Sequence, residues 1–150
     1  MCVSSGTAAI RLAVKALGLR DVTLPTYACV ALYHAVNGIA GVIGLVDCDP
    51  RPLCSPTASV VVDTYGGPSD ILGSIEDFTH APGGLDCGSH GSVAVISFGA
   101  TKPLGCGGGG AVLGDPLWID AIRDMRDYDG KAILRERFDW EMDDLNAALV

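Results

Sequence analysis

Cations are scarce in this chain: 10 lysines and arginines stand against 18 aspartates and glutamates, a formal net charge of −8. An acidic chain with no basic stripe argues against nucleic-acid binding, which rests on clustered lysine and arginine. Long apolar runs are missing too. No stretch approaches the roughly 20 residues that span a bilayer. The opening MCVSSGTAAI has neither the basic start nor the long apolar core of a secretion signal. Cys2, Cys29, Cys48, Cys54, Cys87 and Cys106 include no C-x-x-C pair, so no zinc or redox motif is signalled and no metal is expected. Free thiols are expected instead. Charged residues make up only 19% of the chain and apolar residues 49%, which is far from a disordered composition. The expectation is a soluble, cytoplasmic protein in which residues 1–150 form a single domain.

The apolar residues that are present fall into short periodic segments. In SSGTAAIRLAVKALG, Ile10, Val14 and Leu17 recur at helical spacing and Gly18 provides a stop. DVTLP reads as a strand ended by Pro25, and YACVALYHAVNG as a helix closed by Asn37 and Gly38. GVIGLVD and SVVVDTYGG read as buried strands. GSVAVISFG and GGAVLGD read as two more, antiparallel across the glycines. PLWIDAIRDMRDYDG predicts a helix with Pro116 near its start, and DDLNAALV begins another. This alternation predicts an α/β fold, a mostly parallel sheet with helices on its faces. Two links, Val46 to Ser59 and Tyr65 to Ile75, are short for parallel crossovers, and Pro50, Pro52 and Pro56 oppose helix in the first. The sheet is therefore expected to have shortened crossovers or to lose a helix layer on one side.

Three places carry chemistry. The strand VAVISF should deliver Lys102 to the C-terminal edge of the sheet, where open α/β folds bind ligands. Gly99, Ala100 and Gly105 leave room there for a flat molecule. A lysine amine attacks an aldehyde only when unprotonated, and partial burial favours that form; a loop-tip lysine in water is the plainer alternative. In VSSGTAAI a glycine-containing turn opens a helix, so the N–H groups of Gly6, Thr7 and Ala8 make a phosphate cup. Ordinary capping by Ser5 or Thr7 would use the same residues. In SIEDFTHAPG, Asp77 closes a buried stretch with His80 three residues on. A buried aspartate calls for a cationic partner, and a protonated pyridine nitrogen is one; a surface acid is the other reading. A phosphate cup, an acid and a lysine, in that order, suit pyridoxal 5'-phosphate (PLP). His34 reads as helix-face packing, and His90 has no marked role.

With these residues in place, the chain resembles the DegT/StrS family of PLP-dependent sugar aminotransferases, fold type I. The resemblance runs from SSGTAAIRLAVKALGL through LPTYACVALYHAVNGIAGVIGLVDCDP, TYGGPSDI and IEDFTHAPG to GSVAVISFGATKPLGCGGGGAVL and FDWEMDDLNAALV. Its most specific piece is S-F-x-x-x-K-P-L before the glycine run. It implies that Lys102 binds the cofactor aldehyde covalently and acts as the base, and that Asp77 pairs with the ring nitrogen. It places Ser97 on the phosphate beside Thr7 and Ala8, and His80 near the ring hydroxyl. The implied reaction moves an amino group from an amino acid such as glutamate to a keto-sugar nucleotide, in a homodimer. Cys29, Asp139 and Glu141 depart from the family's aromatic, asparagine and arginine. Arg123 and Arg126 are the cations expected to serve an amino donor. The family's C-terminal domain has no counterpart in the sequence, so a degenerate cofactor-binding domain, or half of a split enzyme completed by a second chain, are the other readings.

Overall fold

Helix α1 (Gly6–Ala16) begins where Ser5 supplies a side-chain cap, its Oγ accepting the Ala8 N–H at 3.1 Å. It ends at Gly18, which takes a left-handed φ of +65°. Its buried stripe of Ala9, Leu12 and Ala13 packs on strands of the main sheet. In the computed structural model, which describes residues 1–48, 59–65, 73–132 and 134–150, the chain continues as β2 (Asp21–Pro25), α2 (Ala31–Val36) and β3 (Val42–Val46). Then come β4 (Val60–Val62), β5 (Gly73–Asp77), β6 (Gly91–Ser97), β7 (Gly110–Gly114), α3 (Pro116–Arg126) and α4 (Asp144–Ala147). A two-residue β1 (Cys2–Val3), too short to leave a pattern in the sequence, pairs antiparallel with β7.

The main sheet has the order β1-β7-β6-β5-β4, with β4, β5 and β6 parallel and β7 antiparallel. The antiparallel turn across the glycines is the one expected. β2 and β3 form a separate parallel ladder. The two ladders meet at a seam: Ser59 N–H donates to the Thr23 carbonyl at 2.9 Å, while Thr23 N–H reaches the Ser59 hydroxyl at 3.1 Å. β2 and β4 are neighbours at this seam. From this seam the chain runs outward to β3 on one side and to β5 and β6 on the other. The main core cluster buries Leu12, Val14, Leu24, Val60, Ile75, Val93 and Ile122 fully, and a second holds Phe78, Ala94, Ile96 and Phe98.

Four expectations change in detail. α2 is shorter than YACVALYHAVNG, because Val30 at its start gives no side-chain cap and Tyr27 to Val30 stay outside the helix. His34 is exposed at its end, edge-on to Tyr33, rather than packed. α3 stops at Arg126 rather than Gly130, where Lys131 Nζ donates to the carbonyls of Arg123, Asp124 and Asp127 at 3.3, 3.0 and 3.0 Å. β4 is only the three residues Val60–Val62, and the Asp63 N–H makes its last ladder bond, to the Asp77 carbonyl at 2.9 Å. The short links carrying Pro50, Pro52 and Pro56 lie largely outside the described residues, as does Cys54; Cys2, Cys29, Cys48, Cys87 and Cys106 are free thiols. Among the described residues no helix is long and apolar enough to cross a membrane.

Two glycines set the depth at which α1 meets the sheet. A Cβ on Gly6 would lie 2.7 Å from Ser97 Cβ, and one on Gly110 would lie 2.8 Å from Gly6 N. The obstacles at Gly110 are backbone, so nothing there can swing aside. Gly110→Ala is expected to destabilise the fold by about 1–3 kcal/mol, measured by urea unfolding. Gly41→Ala, whose Cβ would meet nothing nearer than 3.6 Å, should change stability by less than about 0.5 kcal/mol. Equal effects of the two substitutions would show that the close approach is not a constraint.

Candidate active site

The C-terminal ends of β2, β4, β5 and β6 and the start of α1 surround one cavity of about 470 Å³. Gly6, Thr7, Asp77, His80, Ser97 and Lys102 all line it. Ala8 does not: it is 5% exposed, and its N–H is taken by Ser5 Oγ. Gly6 and Thr7 are thus the first-turn residues on the cavity, at the positive end of an 11-residue helix. Ser97 closes β6, and its Oγ accepts the Gly99 N–H at 3.3 Å.

Lys102 sits in the loop after β6. The loop is pinned by Phe98 N–H to the Gly109 carbonyl at 3.0 Å, Cys106 N–H to the Phe98 carbonyl at 3.1 Å and Lys102 N–H to the Gly99 carbonyl at 2.8 Å. These bonds fix the backbone under the lysine. Its Nζ lies 3.2 Å from His80 Nε2, so two basic nitrogens share one short gap.

Asp77 closes β5 and is 8% exposed. Burial pushes its carboxyl up from the ordinary range; hydrogen bonds from Thr79 and the nearby His80 and Lys102 charges pull the other way without cancelling it. Thr79, which sequence reasoning passed over, ties the site together. Its N–H donates to Asp77 Oδ1 at 3.1 Å, and its own Oγ1 accepts the Ser97 N–H at 3.0 Å. The buried Glu76 faces away, accepting the N–H groups of Gly88 and His90 at 2.6 Å each. Burial works to raise its carboxyl, and those two bonds overcome it, so it stays below the usual range. Asp63, Glu76 and Cys87 bring their ligand atoms within 4.8 Å of one another. Burial pushes the Cys87 thiol up to about 11, away from the thiolate that metals bind, and both Glu76 oxygens are already occupied.

The arginines expected to serve an amino donor are committed elsewhere and do not line the cavity. Arg123 pairs with Asp120 on α3. Arg126 pairs with Glu141 and donates to the Cys2 carbonyl at 3.2 Å. The glutamate at position 141 therefore has a local electrostatic partner. Asp139 is exposed, and Cys29 stands in the cavity wall.

A cavity at the C-terminal edge of a mostly parallel sheet, floored by a buried acid and a lysine and closed by a helix start, defines an aminotransferase-type α/β domain. A profile of the DegT/DnrJ/EryC1/StrS aminotransferase family matches residues 72–150, and the chain belongs to that family. It is 33% identical over 91% of its length to the L-glutamine:scyllo-inosose aminotransferase of Streptomyces griseus, covering 40% of that protein. It is 28% identical over 99% of its length to the 3-oxo-glucose-6-phosphate:glutamate aminotransferase of Bacillus subtilis, covering 42% of it. Among solved structures, NtdA of Bacillus subtilis with bound cofactor PMP superposes with a TM-score of 0.88 at 26% identity, over 99% of this chain and 42% of that one. The chain spans less than half the length of these relatives.

An acid whose pKa is raised by burial costs stability when ionised. The cost is absent below the unfolded value of about 3.9 and grows as pH rises toward the folded value. Asp77→Asn keeps an oxygen for the Thr79 N–H and removes the charge. The cofactor-free variant is therefore expected to melt about 2–4 °C higher than the parent at pH 7, with the gain vanishing near pH 3. A lower melting temperature at pH 7 would show that the ionised carboxylate is stabilising.

Proposed function

We propose that this chain is the PLP-binding large domain of a cytoplasmic aminotransferase. It moves an amino group from glutamate or glutamine to a keto-sugar nucleotide or a related polyhydroxylated ketone. The observation that carries this reading is convergence. Lys102, Asp77, Ser97 and the start of α1 come from four separate segments and line one cavity. The relatives named for glutamine:scyllo-inosose and glutamate:3-oxo-glucose-6-phosphate transfer support the choice of donor and acceptor.

The residues present fit the cofactor. Gly6 and Thr7 N–H groups, the helix dipole and the Ser97 hydroxyl would hold its phosphate. Asp77 is the buried anion that would keep a proton on the ring nitrogen, and its raised pKa in the ligand-free protein is what a missing cation produces. His80 lies beside Lys102 and would face the ring hydroxyl. When bound, PLP supplies an electron-accepting ring that stabilises negative charge at the donor's α-carbon. Lys102 would bind the cofactor aldehyde and, once displaced by the donor, move the α-proton with its freed Nζ. His80 Nε2, 3.2 Å from that nitrogen, is placed to take a proton from it. Cys29 leaves the ring without an aromatic cover from this position.

The proposal includes a homodimer. β3 is an edge strand whose Val42 and Leu45 are exposed, and apolar side chains on an edge favour a covering partner. Light scattering at micromolar concentration should give twice the chain mass, and a PLP-loaded monomer would exclude the dimer.

Borohydride treatment of the protein mixed with PLP should fix the cofactor on the peptide containing Lys102, and Lys102→Ala should abolish that labelling. Labelling of the same peptide in the variant would remove Lys102 from its role. Asp77→Asn should retain PLP and slow the half-reaction with glutamate by at least about a hundredfold. Matching half-reaction rates in variant and parent would leave Asp77 without a chemical task.

A further inference from the structure

Two tyrosines occupy the lip of the cavity, and nothing above assigns them a role. Tyr27 follows β2 and Tyr65 follows β4. Those strands adjoin at the Thr23–Ser59 seam, where the chain runs outward in opposite directions. In open α/β sheets ligands enter at such a reversal of strand order. Although 38 positions apart in sequence, the two phenol oxygens lie 2.6 Å from each other. The rings are tilted by 46° with centroids 6.4 Å apart. Both rings remain open to solvent, 50% and 76% exposed, while lining the same cavity as Lys102 and Asp77.

Tyr65 holds its place at a cost. Its φ of +52° lies in the left-handed region that a bulky residue seldom adopts. An exposed tyrosine needs no such backbone for its own stability. The hydrogen bond with Tyr65 also raises the Tyr27 phenol above its ordinary value.

We propose that the Tyr27–Tyr65 phenol pair recognises adjacent hydroxyl groups on a polyhydroxylated six-membered ring entering the cavity, a role that rests on the aminotransferase reading above. In the free protein one phenol donates to the other. A pair of neighbouring ring hydroxyls replaces that single bond with two, one phenol donating and the other accepting, and leaves no polar group unpaired. The tilted aromatic faces offer an apolar wall to the C–H face of the same ring. A ring of the same size without hydroxyls would break the phenol–phenol bond and return nothing, so the lip discriminates by hydroxylation.

The test titrates PLP-loaded parent, Tyr27→Phe and Tyr65→Phe with myo-inositol, cyclohexanol and dTDP-glucose. Binding is read by saturation-transfer NMR, and the PLP absorbance is recorded for every sample. The parent should prefer myo-inositol over cyclohexanol. Each phenylalanine variant should weaken myo-inositol by roughly five- to tenfold with its PLP band unchanged. The same loss for dTDP-glucose extends the role to nucleotide-linked sugars; a loss confined to myo-inositol assigns free cyclitols and hexoses. No preference for myo-inositol in the parent, or equal affinities in parent and variants, would overturn the proposal. Failure of the parent to develop a PLP band would instead overturn the cofactor reading.

Discussion

The site depends on one close contact, the backbone of Gly6 against that of Gly110 with Ser97 beside it. Strand β7 lies between β1 and β6, so whatever touches its first residue is positioned by the whole sheet. Because neither glycine carries a Cβ, the first turn of α1 drops to the level of the strand ends. That places Gly6 and Thr7 on the cavity instead of above it. It also explains why the glycine run and the helix start, separated by about a hundred positions, act as one feature. A helix that stood even one methyl farther out would move its dipole away from Ser97, and the anion site would open.

From that contact the polar groups follow in sequence. Ser97 gives its N–H to Thr79, and Thr79 gives its own N–H to Asp77. The acid is thereby oriented by the strand that also carries the phosphate-side hydroxyl. Its burial is unfavourable in the ligand-free protein, and the Thr79 bonds and nearby charges offset that only in part. The fold supplies the stability for this from elsewhere, chiefly from the continuous apolar strands Val60–Val62 and Val93–Ile96. Stability and function pull in opposite directions at this one residue.

Much of this was legible in the sequence, for physical reasons that can be named. The apolar runs of β4 and β6 and the spacing of Ile10 and Val14 are local patterns, and they gave the α/β class. Asp77 stood out because it ends a buried strand, and Lys102 because it follows one among small residues, where a charged side chain requires an explanation. Other features were not legible because they arise between segments. The Thr23–Ser59 contact joins segments 36 positions apart, which no periodicity reveals. Val30 at the start of α2 shows that a helical stretch can begin late for want of a cap. The Tyr27–Tyr65 contact exists only because β2 and β4 are neighbours, and strand order is not written in either segment.

The shortage of cations with which the sequence opens becomes specific in the structure. Arg123, Arg126, Arg135 and Arg137 are each paired with an acid, Asp120, Glu141 and Asp124 among them. Among the described residues that line the cavity, His80 and Lys102 are the titratable bases. On the α1 side of the cavity the positive potential comes from the helix dipole, which does not titrate and does not compete for the carboxylate of Asp77. An arginine in the same place would pair with Asp77 and neutralise it before any cofactor arrived. Keeping arginines on α3 and in the segment after it, tied to their own acids, leaves His80 and Lys102 as the cationic groups nearest the buried Asp77.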